Sequence, residues 1–150
     1  MKIVEDVLVY GGKGEHDVFL FTANSTLKRN GALVMGAGCA RAVRDRYLGC
    51  DMVFGSIVEQ HPHTHVRCIQ YQGDIIGYFR TKEDWKKDSE LHTLQRSVME
   101  LDILARKLSD YTFHLPMPAV NHGNMDFDLA MHTISGLPDN VHVYVQNKPI

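Results

Sequence analysis

The sequence predicts an α/β sandwich built on a sheet of mixed strand direction, and three observations carry that prediction. Strand-like and helix-like segments alternate in the first and last parts of the chain. A hairpin signal, Gln72-Gly73-Asp74, lies between two apolar runs in the middle. Two loops carrying glycine, Gly36-Ala37-Gly38 and the stretch around Gly123, each follow a strand-like run. Alternation calls for parallel strands joined by helices, whereas a hairpin demands an antiparallel pair, so the sheet is mixed.

Along the chain, residues 4–10 read as a first strand and Gly11-Gly12-Lys13-Gly14 as the turn into a second, at 17–23. From 34 to 47 the pattern becomes a rough helical stripe of Cys39, Ala42, Val43 and Tyr47, with Arg41, Arg44, Asp45 and Arg46 around it. Residues 54–58 read as a short strand or as part of the crossing to the next. The runs 66–71 and 75–79 are the strands of the hairpin. The clearest helix follows: Leu91, Leu94, Val98, Leu101, Leu104 and Leu108 recur at three- and four-residue steps, with Asp88 or Ser89 placed to cap it. Residues 111–115 read as an interior strand ended by Pro116 and Pro118. Asp126 or Asp128 begins a short helix through Ile134, and 141–145 closes as a strand.

At 150 residues the chain has the length of one domain, 1–150, able to bury a core without staples. A formal charge of −2, with acids and bases interspersed, predicts neither a nucleic-acid footprint nor attraction to a lipid surface. Cys39, Cys50 and Cys68 leave at least one thiol unpaired within the chain and fit no compact metal pattern, which points to a reducing cytosol. Glu5 and Asp6 break the first apolar run and no later run approaches membrane-spanning length, so a cytoplasmic protein without a membrane partner is expected. The segment His61-Pro-His-Thr-His65 alternates imidazoles, but Pro62 interrupts the ladder and no acid or thiolate stands at a matching spacing, so no metal is expected. No cofactor is expected either. Gly36-Ala37-Gly38-Cys39-Ala40-Arg41 lacks the third glycine of a dinucleotide fingerprint, and the chain has no Gly-Lys-Ser or Gly-Lys-Thr phosphate loop.

Residues 22–46 deliver Asn24 and Asn30 to the end of a strand, and the small residues Gly36, Ala37 and Gly38 then let backbone approach a ligand before a helix starts. Phosphate-bearing molecules are commonly held in this way. At this segment, and at Leu115-Pro-Met-Pro-Ala-Val-Asn-His-Gly-Asn-Met-Asp-Phe127, the sequence resembles the macro domain family of ADP-ribose-binding modules and hydrolases. Val34-Met-Gly-Ala-Gly-Cys-Ala40 is similar to the branch whose loop reads Met-Gly-x-Gly-x-Ala. The resemblance implies a three-layer sandwich, a mixed sheet flanked by helices, with ADP-ribose across the carboxyl edge of the sheet. It also implies that Thr22, Ala23 and Asn24 belong to the ligand site, with Asn24 on the distal ribose. The backbone of Gly36, Ala37, Gly38 and Cys39 would line the diphosphate, and Asn121, His122, Gly123 and Asn124 would close from the opposite side. Asp126 corresponds to the acid that acts at the anomeric carbon, or on the attacking water, in hydrolytic members. Two departures stand out. Ala37 occupies the centre of a loop in or after which some members place a lysine used against the sugar, with Arg41 and Arg44 beyond, which argues against a lysine adduct. The second loop is also poorer in glycine, which implies a narrower or differently shaped pocket near the distal phosphate.

The residue chemistry is compatible with these roles and leaves alternatives open. A carboxamide both donates and accepts, as ribose hydroxyls do, but Asn-Ser is also an ordinary turn or cap. Asp126 and His122 are the acid–base candidates because both leave the same strand end, yet Asp126 or Asp128 equally suits a helix cap and His122 a plain loop position. Arg41 and Arg44 supply positive potential to a diphosphate, or are solvated helix positions. The expected activity is hydrolysis of ADP-ribose derivatives, either the terminal ester of ADP-ribose 1″-phosphate or the bond between ADP-ribose and an acceptor. The alternative is a non-catalytic module that binds ADP-ribose or a related nucleotide.

Overall fold

The computed structural model describes residues 1–146. Among them lie β1 (Lys2–Val4), β2 (Asp17–Ala23), α1 (Gly38–Arg46), α2 (Cys50–Gln60), β3 (Val66–Tyr71), β4 (Asp74–Arg80), α3 (Leu91–Lys107), β5 (Thr112–Pro116), α4 (Phe127–Ile134) and β6 (Val141–Tyr144). The strands form one sheet in the order β1-β6-β5-β2-β4-β3. Its neighbours run parallel except β3 and β4, which form the antiparallel hairpin. Gln72 and Gly73 turn that hairpin with φ of 50° and 87°, the left-handed pair a two-residue connection requires.

Strand β2 sits at the centre and shows why the molecule has three layers. Its side chains alternate, so Phe19 and Phe21 enter the core under α1 and α2 with Val43, Phe54 and Tyr78. Val18 and Leu20 enter the opposite core with Leu94, Leu101 and Ile134 from α3 and α4. Both faces of the strand are buried, as a central parallel strand demands. The chain leaves β2 toward β4 on one side and returns from β4 to β5 on the other, so the carboxyl ends of β2, β4 and β5 meet where the winding changes direction. Crevices in open α/β sheets form at such a point.

Three expectations are corrected. The first strand ends at Val4, because Asp6 turns back to the Val4 carbonyl and its side chain accepts from the Val7 amide. Leu8 and Tyr10 are buried while Val7 and Val9 are exposed, so the alternation that predicted a longer strand is real but is met by packing rather than by a ladder. Residues 54–58 lie inside the helix α2. There Gly55 packs so closely on the backbone of Gly31 and Leu33 that a Cβ would overlap the Gly31 carbonyl oxygen. Finally, α3 starts after Glu90, which makes no side-chain cap. Asp88 and Ser89 face the loop after β5 instead: the Asp88 carboxylate accepts from Asn124 Nδ2 and the Ser89 amide donates to the Gly123 carbonyl.

Candidate functional site

The carboxyl ends of the strands open into a cleft of about 1240 Å³. Its floor begins with Asn24, 8% exposed at the end of β2. The Asn24 carboxamide accepts from the Thr26 amide at 2.9 Å and donates from Nδ2 to the Val34 carbonyl at 3.1 Å. That one side chain fixes the turn after β2 to the segment entering the glycine loop. One N–H and one lone pair of the amide remain for a further partner.

Gly36, Ala37 and Gly38 are exposed along the cleft wall, and Gly38 takes φ of +57° as α1 begins. A β-carbon at Gly38 would stand 3.2 Å from the His122 ring, so the glycine loop and the loop after β5 face each other at close range. Cys39 turns inward, its Sγ 3.1 Å from Thr22 Oγ1 and 3.3 Å from the Thr22 amide. The opposing loop is held by a left-handed Ala119 at φ 73°, by the Met125 amide on the Ala119 carbonyl, and by Gly123, where a β-carbon would collide with Ser89 Oγ. Asn121, His122, Gly123 and Asn124 all line the cleft, as do Thr22, Ala23 and Asn24.

Comparison with solved structures reveals the same architecture elsewhere. The chain resembles the macrodomain of Thermus aquaticus DarG with a TM-score of 0.76 and 18% identity, over 99% of this chain and 97% of that one. The macrodomain of Mycobacterium tuberculosis DarG gives a TM-score of 0.72 and 20% identity, over 95% and 96% of the two chains. This chain has the macrodomain fold. A third similar structure, Thermosipho africanus DarTG in complex with ADP-ribose, gives a TM-score of 0.72 and 16% identity over 89% of this chain and 39% of that one. No family model matches the sequence, and no curated protein does. The mixed sheet and flanking helices expected from the two loops are therefore those of a macrodomain.

Of the ionisable groups singled out in the sequence, His122 lines the cleft, whereas Asp126, Arg41 and Arg44 do not. Asp126 is the N-cap of α4, its carboxylate accepting from the Leu129 amide at 3.0 Å, and it is not among the residues that line the cleft. Arg41 and Arg44 turn to Asp45, at 3.8 and 3.6 Å, and also lie off the cleft wall. The cations that do line it are lysines: Lys28 after β2, and Lys82, Lys86 and Lys87 after β4. Lys82 Nζ donates to the His122 carbonyl at 3.3 Å and so bridges the segment after β4 to the loop after β5. An amine thus reaches the cleft from a third strand end, although the first glycine loop carries none. The reading of ligands at carboxyl strand ends predicted this place, and applying it to β4 as well as to β2 and β5 would have found Lys82 and Trp85.

The far end of the cleft is lined by Asp6, Val7, Leu8 and Tyr10, beside Tyr144 of β6. Burial pushes the Tyr10 hydroxyl well above its ordinary range, so it stays a neutral donor, bonded to the Leu20 carbonyl at 2.9 Å. Val7 and Leu8 together with the four lysines give the cleft both apolar and cationic lining, which suits a ligand with an apolar part and an anionic part. Among the described residues no group of histidines, cysteines and acids is arranged to hold a metal ion, and no helix is long and apolar enough to cross a membrane.

Proposed function

We propose that the cleft binds ADP-ribose and that the chain hydrolyses ADP-ribose derivatives at the distal ribose. The observation that carries the reading is the approach of Gly38 to His122: exposed glycine backbone on one wall faces a second loop on the other, above a buried asparagine. Backbone amides at the start of α1 suit a diphosphate. The unspent donor and acceptor of Asn24 suit two ribose hydroxyls. The base then lies toward Asp6, Val7 and Leu8, and the scissile end toward Lys82. The similarity to Thermosipho africanus DarTG, solved in complex with ADP-ribose, supports ADP-ribose as the ligand.

Lys82 is the group proposed to act on the sugar. After one ammonium proton passes to solvent, its nitrogen attacks the anomeric carbon: a carbon–nitrogen bond forms, the bond from that carbon to the acceptor oxygen breaks, and the acceptor departs with the electron pair. Water then displaces the amine, and its proton returns to the departed oxygen, leaving ADP-ribose and the free acceptor. Holding the sugar by its diphosphate makes the attack of Lys82 effectively intramolecular. Turnover of ADP-ribose 1″-phosphate and of mono-ADP-ribosylated protein, followed together with ADP-ribose calorimetry, tests the proposal. Asn24→Ala is expected to weaken ADP-ribose binding and Lys82→Ala to remove turnover with binding retained. Binding and turnover untouched by both changes would sink the site.

A second reading is favoured by the engagement of Asp126 with Leu129, which leaves the expected acid at a helix cap. In that reading the chain is a non-catalytic ADP-ribose reader. Tight binding with no product from either substrate across a range of pH selects it.

A further inference from the structure

The turn after β2 and the segment after β4 are joined by Ser25 and Thr26, and of the two only the Thr26 side chain reaches both Glu83 and Trp85. Thr26 Oγ1 accepts from the Trp85 amide at 3.1 Å and donates to the Glu83 carbonyl at 3.3 Å. The same carbonyl receives the Ser25 amide at 2.8 Å and the Ser25 hydroxyl at 3.0 Å. On its own backbone Thr26 is held twice more: its amide by the Asn24 carboxamide at 2.9 Å, and its carbonyl by the Val34 amide at 3.0 Å. Thr26 therefore touches the asparagine that lines the cleft, the segment that enters the glycine loop, and Glu83 and Trp85 in the turn that follows Lys82. A lysine has a long, rotatable stem, so its amine occupies one place only if the backbone that carries it is fixed. Lys82 leaves the chain one residue before Glu83 and three before Trp85, immediately ahead of the part that Thr26 grips.

We propose that Thr26 is the positioning residue for Lys82, its hydroxyl locking the Glu83–Trp85 turn so that the amine stands over the distal end of the cleft. The proposal rests on the assignment of Lys82 to the reacting end. Its hydrogen-bonding mode is specific: the hydroxyl donates to one peptide and accepts from another two residues on, which valine, its isostere, does neither way.

The test compares the native chain with Thr26→Val and Thr26→Ser in lysine-labelled protein, following the Lys82 Cε resonance as ADP-ribose is added. Thr26→Val is expected to keep ADP-ribose affinity within about threefold while the ligand-induced displacement of that resonance collapses, and kcat falls roughly 10- to 100-fold, the penalty for a misplaced reacting group. Thr26→Ser restores both. A Lys82 resonance that responds in Thr26→Val as it does in the native chain overturns the proposal. So does a loss of ADP-ribose affinity as large as that of Asn24→Ala, which would make Thr26 part of the binding floor. Should Thr26→Val fail to fold, exchange of the Trp85 amide in the native chain decides: slow exchange is expected, and exchange at the rate of an open loop overturns the contact. A native chain that shows no turnover removes the hydrolytic reading alone, because the resonance readout needs only bound ADP-ribose.

Discussion

Asn24 shows how a single side chain both builds and furnishes a site. With one donor and one acceptor committed to the Val34 carbonyl and the Thr26 amide, it keeps one N–H and one lone pair for a further partner, and the amide cannot rotate without breaking both bonds. Truncation to alanine strands two backbone groups in a place that is 8% exposed, a change that destabilises by about 1–3 kcal/mol. Chemical unfolding of Asn24→Ala should show that loss together with weakened ADP-ribose binding; binding lost without any loss of stability would mean that the amide serves the ligand alone. For Lys82 the prediction is covalent. A glycosylamine opens to an imine, which borohydride reduces to a permanent secondary amine, so treatment of the chain during turnover should leave ADP-ribose attached to the peptide that contains Lys82. Attachment elsewhere, or none, would assign the chemistry to another group. The sequence alone led to Asn24 because it follows an apolar strand and precedes a glycine loop. It did not lead to Lys82, since a lysine among Lys82, Lys86 and Lys87 reads as a solvated charge run until the strand end beneath it is known.

At the scale of an element, α4 separates capping from catalysis. Asp126 accepts from the third amide beyond it, the standard N-cap geometry, and α4 has only eight residues over which to recover a lost cap. Asp126→Ala should lower stability by about 1 kcal/mol, and Asp126→Asn, an equally good cap, should restore it. If the carboxylate only caps, turnover survives in the asparagine variant and tracks the folded fraction in the alanine one. Turnover abolished in both, with stability recovered in the asparagine variant, would return Asp126 to the chemistry. The sequence left both roles open for this residue because an aspartate two positions before another aspartate, at the start of an apolar stripe, satisfies either pattern. Other elements were legible in proportion to how local their determinants are. The hairpin at Gln72-Gly73 and the stripe of α3 are set by neighbours in the chain, and both stand where they were expected. Helix α2 is set by a distant contact: Gly55 reads as a helix breaker, yet it is there to admit the Gly31–Leu33 backbone. The first strand was read too long for the converse reason, since Leu8 and Tyr10 alternate inward without a strand to pair with.

For the whole molecule, the buried ionisable groups fix the pH range of stability. His114, 4% exposed in β5, donates from Nε2 to Asp17 at 2.7 Å and meets the Tyr144 hydroxyl at Nδ1 at 2.8 Å. Lys13 in turn donates to the Tyr144 oxygen at 3.0 Å. The chain of bonds runs Lys13 to Tyr144 to neutral His114 to Asp17, and a second proton on His114 would force its Nδ1–H against a hydroxyl whose oxygen already serves Lys13. Phe19 stacks on the imidazole at 5.3 Å and His142 meets it edge-on at 5.6 Å. Burial, first, and then Lys13 lower His114 below its ordinary 6.5 against the pull of Asp17. His65 and His142 are lowered as well, chiefly by burial. Burial raises Asp17, but its bonds to His114 and to the Gly14 amide, with the charges of His114 and Lys13, leave it net below 3.8. Each of these groups binds fewer protons folded than unfolded, so stability rises with pH through its window and is lost as pH falls, from about 6.5 downward for the histidines and again below about 4 for Asp17. At the other end, burial pushes the Cys50 thiol up to about 11 and Cys68 up to about 12 from 9.0, so the unfolded chain releases protons first and stability falls as pH rises past that value. Thermal midpoints should therefore be flat between roughly pH 6.5 and 9 and decline on both sides. His114→Gln, which removes the titrating ring from the centre of the relay, should make the acid decline shallower than in the native chain. A midpoint that holds steady from pH 7.5 down to 5 would show that His114 accepts its second proton without disturbing the bonds to Tyr144 and Asp17, and that the three histidines are solvated in a way their packing does not allow.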